Sequence, residues 1–119
     1  MNGLNHVQIS GTVSRRPLIH ASVSTPDQCR THFYLDVPRI VGDCAGRPVV
    51  TTDCFPCTAG NALAVAAYRD LTPGLPISLT AVLTNDAWVD DDGRTHDRIL
   101  LQVTDFRVHD PAAADRQSP

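Results

Sequence analysis

Apolar and polar residues alternate one by one in several separate stretches of this sequence, and that period of two limits the fold more than any other feature. The first stretch places polar residues between apolar and small ones, in the order Val7, Gln8, Ile9, Ser10, Gly11, Thr12 and Val13. A β-strand that buries one face and exposes the other has this period. The chain has 119 residues, so the strands predicted in this way belong to a single domain of ordinary size.

Four further strand patterns follow along the chain. In the second strand, Tyr34 and Asp36 lie on the face opposite to that of Phe33 and its apolar neighbours. The third is rich in β-branched residues, which strands favour, and the last two alternate again. The sequence therefore predicts strands at residues 7–13, 33–37, 49–55, 77–83 and 98–108.

One helix and one long hairpin complete the predicted elements. Residues 58–70 are rich in Ala and other good helix formers, so they predict a helix with Thr58 as its N-cap. Pro56 is expected to end the strand before it. The turn signal at 90–93 lies between the last two strands, which we therefore expect to form a long hairpin with Trp88 near its tip.

Five strands with one helix between the third and fourth is the element order of an OB-fold, an all-β Greek-key barrel. We expect this barrel to span residues 1–110 and a short flexible tail to follow at 111–119, where the only apolar residues are alanines. The longest apolar run, Ala62–Ala67, is six residues, far below the roughly 20 that cross a bilayer. Because residues 1–6 show no signal-peptide pattern, a cytoplasmic location is expected.

Charge and motifs narrow the function further. The net charge is −3, with ten basic residues that are all Arg and thirteen acidic residues that are all Asp. This balance excludes a protein that coats duplex DNA by bulk positive charge. Arginine nevertheless pairs with phosphate and stacks on bases, so local contacts to nucleic acid remain compatible with the composition. Nucleophile elbows, phosphate-cradling Gly loops and paired carboxylate motifs are absent from the sequence, so we expect neither an enzyme nor a cofactor.

The four cysteines allow three interpretations: a zinc site, a redox site or reduced thiols without a metal. Cys54 and Cys57 form a Cys-x-x-Cys motif, which is typical of zinc sites and of redox proteins. A zinc ribbon needs a second such pair, whereas Cys29 and Cys44 are fifteen residues apart. The βαβ pattern that surrounds a thioredoxin-type motif is also missing. Reduced, partly buried thiols without a metal are therefore the favoured reading.

Several stretches, taken in order, resemble the bacterial and phage single-stranded DNA-binding protein family over about residues 4–108. The first strand and the following Arg15-Arg16-Pro17 are similar to the family's opening strand and basic turn. Residues 33–37 resemble its second strand, and Cys54-Phe55 resembles the aromatic position that precedes the family's helix. Residues 88–93, Trp-Val-Asp-Asp-Asp-Gly, are similar to its Trp-x-Asp hairpin tip.

The resemblance implies sequence-independent binding of single-stranded DNA in replication, recombination or repair, through base stacking and contacts between Arg and phosphate. It also implies a homo-oligomer, a tetramer or a dimer, with replication or repair proteins as further partners. The residues predicted to bind nucleic acid are Trp88, Phe55, Tyr34, Arg15, Arg16, Arg39, Arg94 and Arg98. Asp36, Asp92 and Asp97 are close in sequence to the last three arginines and are expected to compete for them in surface ion pairs.

Two departures from the family pattern favour an alternative function. A second binding tryptophan of the family would fall near Val49 or Val50, so one stacking platform is missing. The family's acidic, Phe-terminated tip is not seen at residues 115–119, so recruitment of partners through that tip is not expected. An OB-fold adaptor of the primosomal type, which acts mainly through protein–protein contacts, is the alternative.

Overall fold

The computed structural model describes residues 3–21 and 28–109. Within these ranges the chain forms six strands and one helix: β1 (Val7–Val13), β2 (Leu18–Ala21), β3 (Cys29–Gly42), β4 (Pro48–Gly60), α1 (Asn61–Asp70), β5 (Pro76–Val89) and β6 (Thr95–Val108). The tail predicted at 111–119 lies outside the described residues. No membrane-spanning helix is found in the part of the chain described.

Five of the strands close into a barrel. Their order is β1-β5-β6-β4-β3, and a pairing between β1 and β3 closes the ring. All pairings are antiparallel except that of β4 with β6. This confirms the predicted all-β, five-stranded OB-fold barrel with one helix between its third and fourth strands. The long hairpin between the last two strands is present as β5 and β6, paired from Ile77 to Val89.

The apolar face of each alternating pattern points into the barrel. Phe33 and Leu35 of β3 are 1% and 0% exposed, and Val37 packs against the same cluster. Ile77 and Leu79 of β5 contribute in the same way. Burial of such side chains supplies most of the favourable free energy of folding. Where the sequence alternates with a period of two, it therefore predicted both the strand and the side that forms the core.

The boundary between β4 and α1 differs from the prediction. Pro56 does not end the strand, because β4 stays paired with β3 as far as Gly60. Proline is tolerated here since the described pairing of β4 with β6 covers only Cys57 and Thr58, which leaves one edge of the strand unpaired at Pro56. Thr58 therefore lies in the strand and is not the N-cap. Gly60 takes that position without a side-chain hydrogen bond.

A short strand went unpredicted. β2 pairs with the beginning of β3, with Leu18 opposite His32 and His20 opposite Arg30. All four residues of β2 are exposed, so the sequence shows no alternation of buried and exposed positions there. The strand exists because β3 extends beyond the barrel and offers it a free edge.

Candidate nucleic-acid interface

Several histidine, arginine and aromatic side chains lie on one surface of the sheet. Directly opposed residues in neighbouring strands share a face, and the register places Tyr34 opposite Pro56, His32 opposite Thr58, and Thr58 opposite Gln102. On the β5–β6 hairpin the same surface continues through Asp86 opposite Arg98. We call this surface the outer face; its members include His20, Arg30, His32, Tyr34, Thr58, Asp86, Trp88, His96, Arg98 and Leu100.

Trp88 lies at one end of the outer face, near the tip of the β5–β6 hairpin. Its ring stacks on that of His96, with centroids 5.5 Å apart and planes 20° apart. The guanidinium carbon of Arg98 is 5.7 Å from the indole centroid, a distance at which a cation is attracted to the ring. Trp88 still exposes 43% of its surface. The indole is thus held in place by its neighbours while remaining accessible to a ligand.

The turn beyond Trp88 is organised by one carboxylate. Asp90 accepts hydrogen bonds from the backbone N–H groups of Asp92 and Arg94, each at 2.9 Å, and lies 2.6 Å from Nε2 of His96. The hydrogen bond with His96, followed by those from the backbone, lowers the pKa of Asp90 below its ordinary value. The same carboxylate therefore fixes the turn and orients the imidazole on which Trp88 stacks.

Tyr34 and Arg15 lie at the other end of the outer face. The guanidinium carbon of Arg15 is 4.7 Å from the centroid of the Tyr34 ring. Tyr34 is half-buried, whereas Arg15 and the neighbouring Arg16 are exposed in the segment that follows β1. The predicted residues Trp88, Tyr34, Arg15 and Arg98 are therefore brought onto one face.

Three of the predicted residues are placed elsewhere. Phe55 lies opposite Leu35 on the inward side of β4 and packs half-buried against the core. Arg39 also lies on that side of the β3–β4 hairpin, and its Nε is 2.7 Å from a carboxylate oxygen of Asp53. Arg94 belongs to the turn at the hairpin tip, where its backbone N–H is bonded to Asp90. Their roles in binding stay predictions, and the outer face does not depend on them.

The carboxylate partners predicted for Arg39, Arg94 and Arg98 from closeness in sequence were wrong. Arg39 pairs with Asp53 of β4 and not with Asp36. Arg98 lies 3.7 Å from Asp86 of β5 and not against Asp97. In a hairpin, side chains on one face meet across the two strands, whereas adjacent residues of one strand point to opposite faces. Among the described carboxylates, none forms an ion pair with Arg94, so Asp92 is not its partner either.

A polar cleft of about 630 Å³ occupies the middle of the outer face. The rings of His20 and His32 lie on its wall with centroids 5.6 Å apart, and Arg30, Thr58 and Asp86 also line it. Burial lowers the pKa of His32, and the positive charges of His20, Arg98 and Arg30 lower it further. The groups that act on His32 therefore include two arginines and a second imidazole.

Sequence reasoning missed the histidines of the outer face. His32 was detectable, because it lies two residues before Tyr34 in an alternating strand and so shares its face. His96 was also detectable, because it and Trp88 are the same number of residues from the centre of the turn and therefore lie opposite each other in the hairpin. His20 was not, because β2 has no sequence pattern of its own.

The four cysteines are all free, and Cys57 is buried while Cys54 is exposed. Burial raises the pKa of Cys57 to about 12, and partial desolvation followed by the nearby Asp36 raises the pKa of Cys54. A raised pKa disfavours the reactive thiolate. Across residues 3–21 and 28–109, no three His, Cys or Asp side chains are grouped to hold a metal ion.

Comparison with known proteins identifies structures that share this fold. No protein-family model and no curated protein matches the sequence. Among solved structures, the small single-stranded DNA-binding protein from Streptomyces coelicolor matches with a TM-score of 0.66 and 21% identity, over 95% of this chain and 99% of that one. A deletion mutant of the single-stranded DNA binding protein from Thermus aquaticus matches with a TM-score of 0.78 and 16% identity, over 92% of this chain. The match spans about half of the Thermus chain, 52%. This chain therefore has the barrel fold of the single-stranded DNA-binding proteins, as its sequence resemblance implied.

Proposed function

We propose that this protein binds single-stranded DNA without sequence preference, using the outer face. The observation that supports this most directly is the exposed Trp88, held by His96 and Arg98 on the same face as the Tyr34–Arg15 pair. Two aromatic rings, each beside a guanidinium, supply the two contacts that a single strand needs. Bases stack on the rings, and phosphates pair with the cations.

The arginines near Tyr34 are suited to phosphate. Within the described ranges, the ion-paired arginines are Arg39, Arg47, Arg69 and Arg98. Arg15, Arg16 and Arg30 make no such pair with a described carboxylate, so their binding of phosphate requires no ion pair to break.

A protein that binds only unpaired strands shifts duplex melting toward the open form by mass action. In a cell, such binding would protect unpaired strands during replication, recombination or repair.

Replacement of Trp88 tests this function. A base that stacks on an aromatic ring contributes about 1–3 kcal/mol, so Trp88→Ala should weaken binding of oligo-dT by that amount. Because Trp88 is the single tryptophan, quenching of its fluorescence reports binding in the wild type. The anisotropy of a labelled oligonucleotide reports binding in both the wild type and the Trp88→Ala variant. Tyr68→Ala is a matched control, since Tyr68 on α1 is exposed to a similar degree, 44%.

Duplex DNA of equal length completes the experiment. Quenching by the single strand and not by the duplex supports the proposal. Absence of both quenching and anisotropy change with oligo-dT would contradict it and favour the protein-binding adaptor.

We further propose that the protein self-associates through the β5–β6 hairpin. Leu83, Val89 and Ile99 lie on the side of the hairpin opposite Trp88, and they are 47%, 66% and 66% exposed. Exposed apolar side chains that share one side of a hairpin are suited to an interaction surface. Sedimentation should show a dimer or tetramer, and Ile99→Ser should shift it toward the monomer. A wild type that sediments as a monomer at high protein concentration would exclude this assembly.

A further inference from the structure

The cleft of the outer face contains a buried hydroxyl without a partner. Thr58 is only 6% exposed, and its Oγ1 makes no hydrogen bond within the part of the chain that the structure describes. Thr58 lies opposite His32 and lines the cleft. A buried polar group that stays unpaired costs free energy, so this hydroxyl is suited to a ligand with a hydrogen-bond acceptor.

The helix α1 begins at the wall of the same cleft. Its N-cap Gly60 and its first residue Asn61 both line the cleft. Gly60 provides no side-chain cap, and the first turn contains no acidic residue. The N-terminal end of a helix carries a partial positive charge and unpaired N–H groups, which favour an anion.

Basic side chains outnumber acidic ones around the cleft. His20 of β2 and Arg30 and His32 of β3 line it, and Arg98 of β6 is close enough to lower the pKa of His32. Asp86 of β5 is the one carboxylate among the described lining residues, and it lies 3.7 Å from Arg98. The ligand that matches this set of groups is an anion with several acceptor oxygens.

We propose that the cleft binds one phosphate group, which accepts hydrogen bonds from the Thr58 hydroxyl, the Arg30 guanidinium and the ring N–H groups of His20 and His32. A phosphate of a bound single strand supplies this group if the proposed function holds. A free mononucleotide carries the same group and is the other source.

Binding of phosphate should depend on pH. An adjacent anion favours the charged form of imidazole, so bound phosphate should raise the pKa of His32, which is lowered in the free protein. By linkage, phosphate should then bind more tightly as the pH falls and His32 becomes protonated. His109 lies outside the cleft, bonded to Ser78 on another part of the barrel, so phosphate should leave its ring resonances unshifted.

NMR titration of the histidine rings tests the proposal with three probes: inorganic phosphate, thymidine monophosphate and oligo-dT. A rise in the pKa of His32 together with a shift of the His20 ring resonances, with at least one probe and without a shift at His109, supports it. Unchanged titration of His32 and unshifted ring resonances of His20 with all three probes overturn it.

The two proposals fail in distinguishable ways. Quenching of Trp88 by oligo-dT with silent His20 and His32 would leave single-strand binding intact and remove the phosphate subsite. A response of both histidines to thymidine monophosphate without any quenching by oligo-dT would retain the subsite as a site for free nucleotides and remove the proposed function.

The hydroxyl itself is tested by Thr58→Val, which keeps the shape of the side chain. Loss of one hydrogen bond should weaken binding of the responding probe about threefold to tenfold, while thermal unfolding should show no loss of stability because the removed group is unpaired. Thr51→Val in the same strand is the control, since Thr51 lies opposite Arg39 on the other side of β4. Equal affinities of the Thr58→Val variant and the wild type would overturn the assigned role of the hydroxyl.

Discussion

Gly11 shows how a single residue permits the barrel to close. It lies in β1 at the point where this strand, paired with β5, approaches β3. A Cβ atom built on Gly11 would collide with the backbone carbonyl oxygen of Asp36 and press on Val37. Only glycine allows two backbones to approach so closely. The alternating pattern of residues 7–13 therefore contains a position where the absence of a side chain is required.

Substitution of Gly11 should reveal this requirement. Gly11→Ala should lower the free energy of unfolding by about 1–3 kcal/mol, because overpacking forces the backbone to shift. Urea denaturation measures the difference. Gly42→Ala is the matched control, since a Cβ there has no neighbour within 4 Å. Equal stability of Gly11→Ala and the wild type would mean that β1 and β3 are not in this close contact.

At the scale of elements, the β3–β4 and β5–β6 hairpins turn in the same way. Each turn has the pattern Asp-x-x-Gly-Arg, at 43–47 and 90–94. In each, the first Asp accepts hydrogen bonds from two backbone N–H groups of the turn. The glycines have φ angles of 78° and 79°, a conformation that other residues rarely adopt. The difference lies in what each turn presents: only the second places an aromatic ring beside it.

The Asp90 turn should respond to acid. The pKa of Asp90 is lowered in the folded state from 3.8, so its stabilising contribution is complete above that value and is lost as the pH falls through the lowered pKa. Trp88 emission should therefore change only below about pH 4, as the carboxylate is protonated and the His96 stack loosens. Asp90→Asn should show the loosened emission already near neutral pH.

Asp43→Asn is the control for this experiment. Asp43 makes the same turn and also has a lowered pKa, first because of the backbone N–H of Arg47. It has no tryptophan beside it, so its replacement should leave the titration of Trp88 emission unchanged. An acid response that is the same in Asp90→Asn and in the wild type would show that Asp90 does not hold the stack.

For the molecule as a whole, acidic residues outnumber basic ones, whereas basic side chains outnumber acidic ones in the lining of the cleft. The chain carries −3, yet the cleft is lined by Arg30 and two histidines against a single described carboxylate, Asp86. Ion pairs neutralise several other arginines, including Arg47 with Asp43 and Arg69 with Asp70. The protein should therefore contact few phosphates of a bound DNA strand. Basic groups close to the strand should guide it, because salt screens the charges that lie farther away.

The salt dependence of binding measures the number of those contacts. With four or five phosphates paired, the logarithm of the binding constant should fall against the logarithm of salt concentration with a slope of about −3, at roughly −0.7 for each phosphate. Oligo-dT affinities at several salt concentrations give the slope. Arg30→Gln should make it shallower by about 0.7. A slope near zero would contradict phosphate contacts on the outer face.

The sequence by itself determined the five barrel strands, the core side of the alternating strands, the hairpin turn at 90–93 and the presence of Trp88 near its tip. These depend on the period of the backbone and on local turn chemistry, which act within a few residues. Only the tertiary structure decided that β2 exists, that Thr58 lies in a strand with an unpaired hydroxyl, and that Arg39 and Arg98 meet Asp53 and Asp86. These depend on register and barrel closure, which join residues far apart in the chain and which no local pattern specifies.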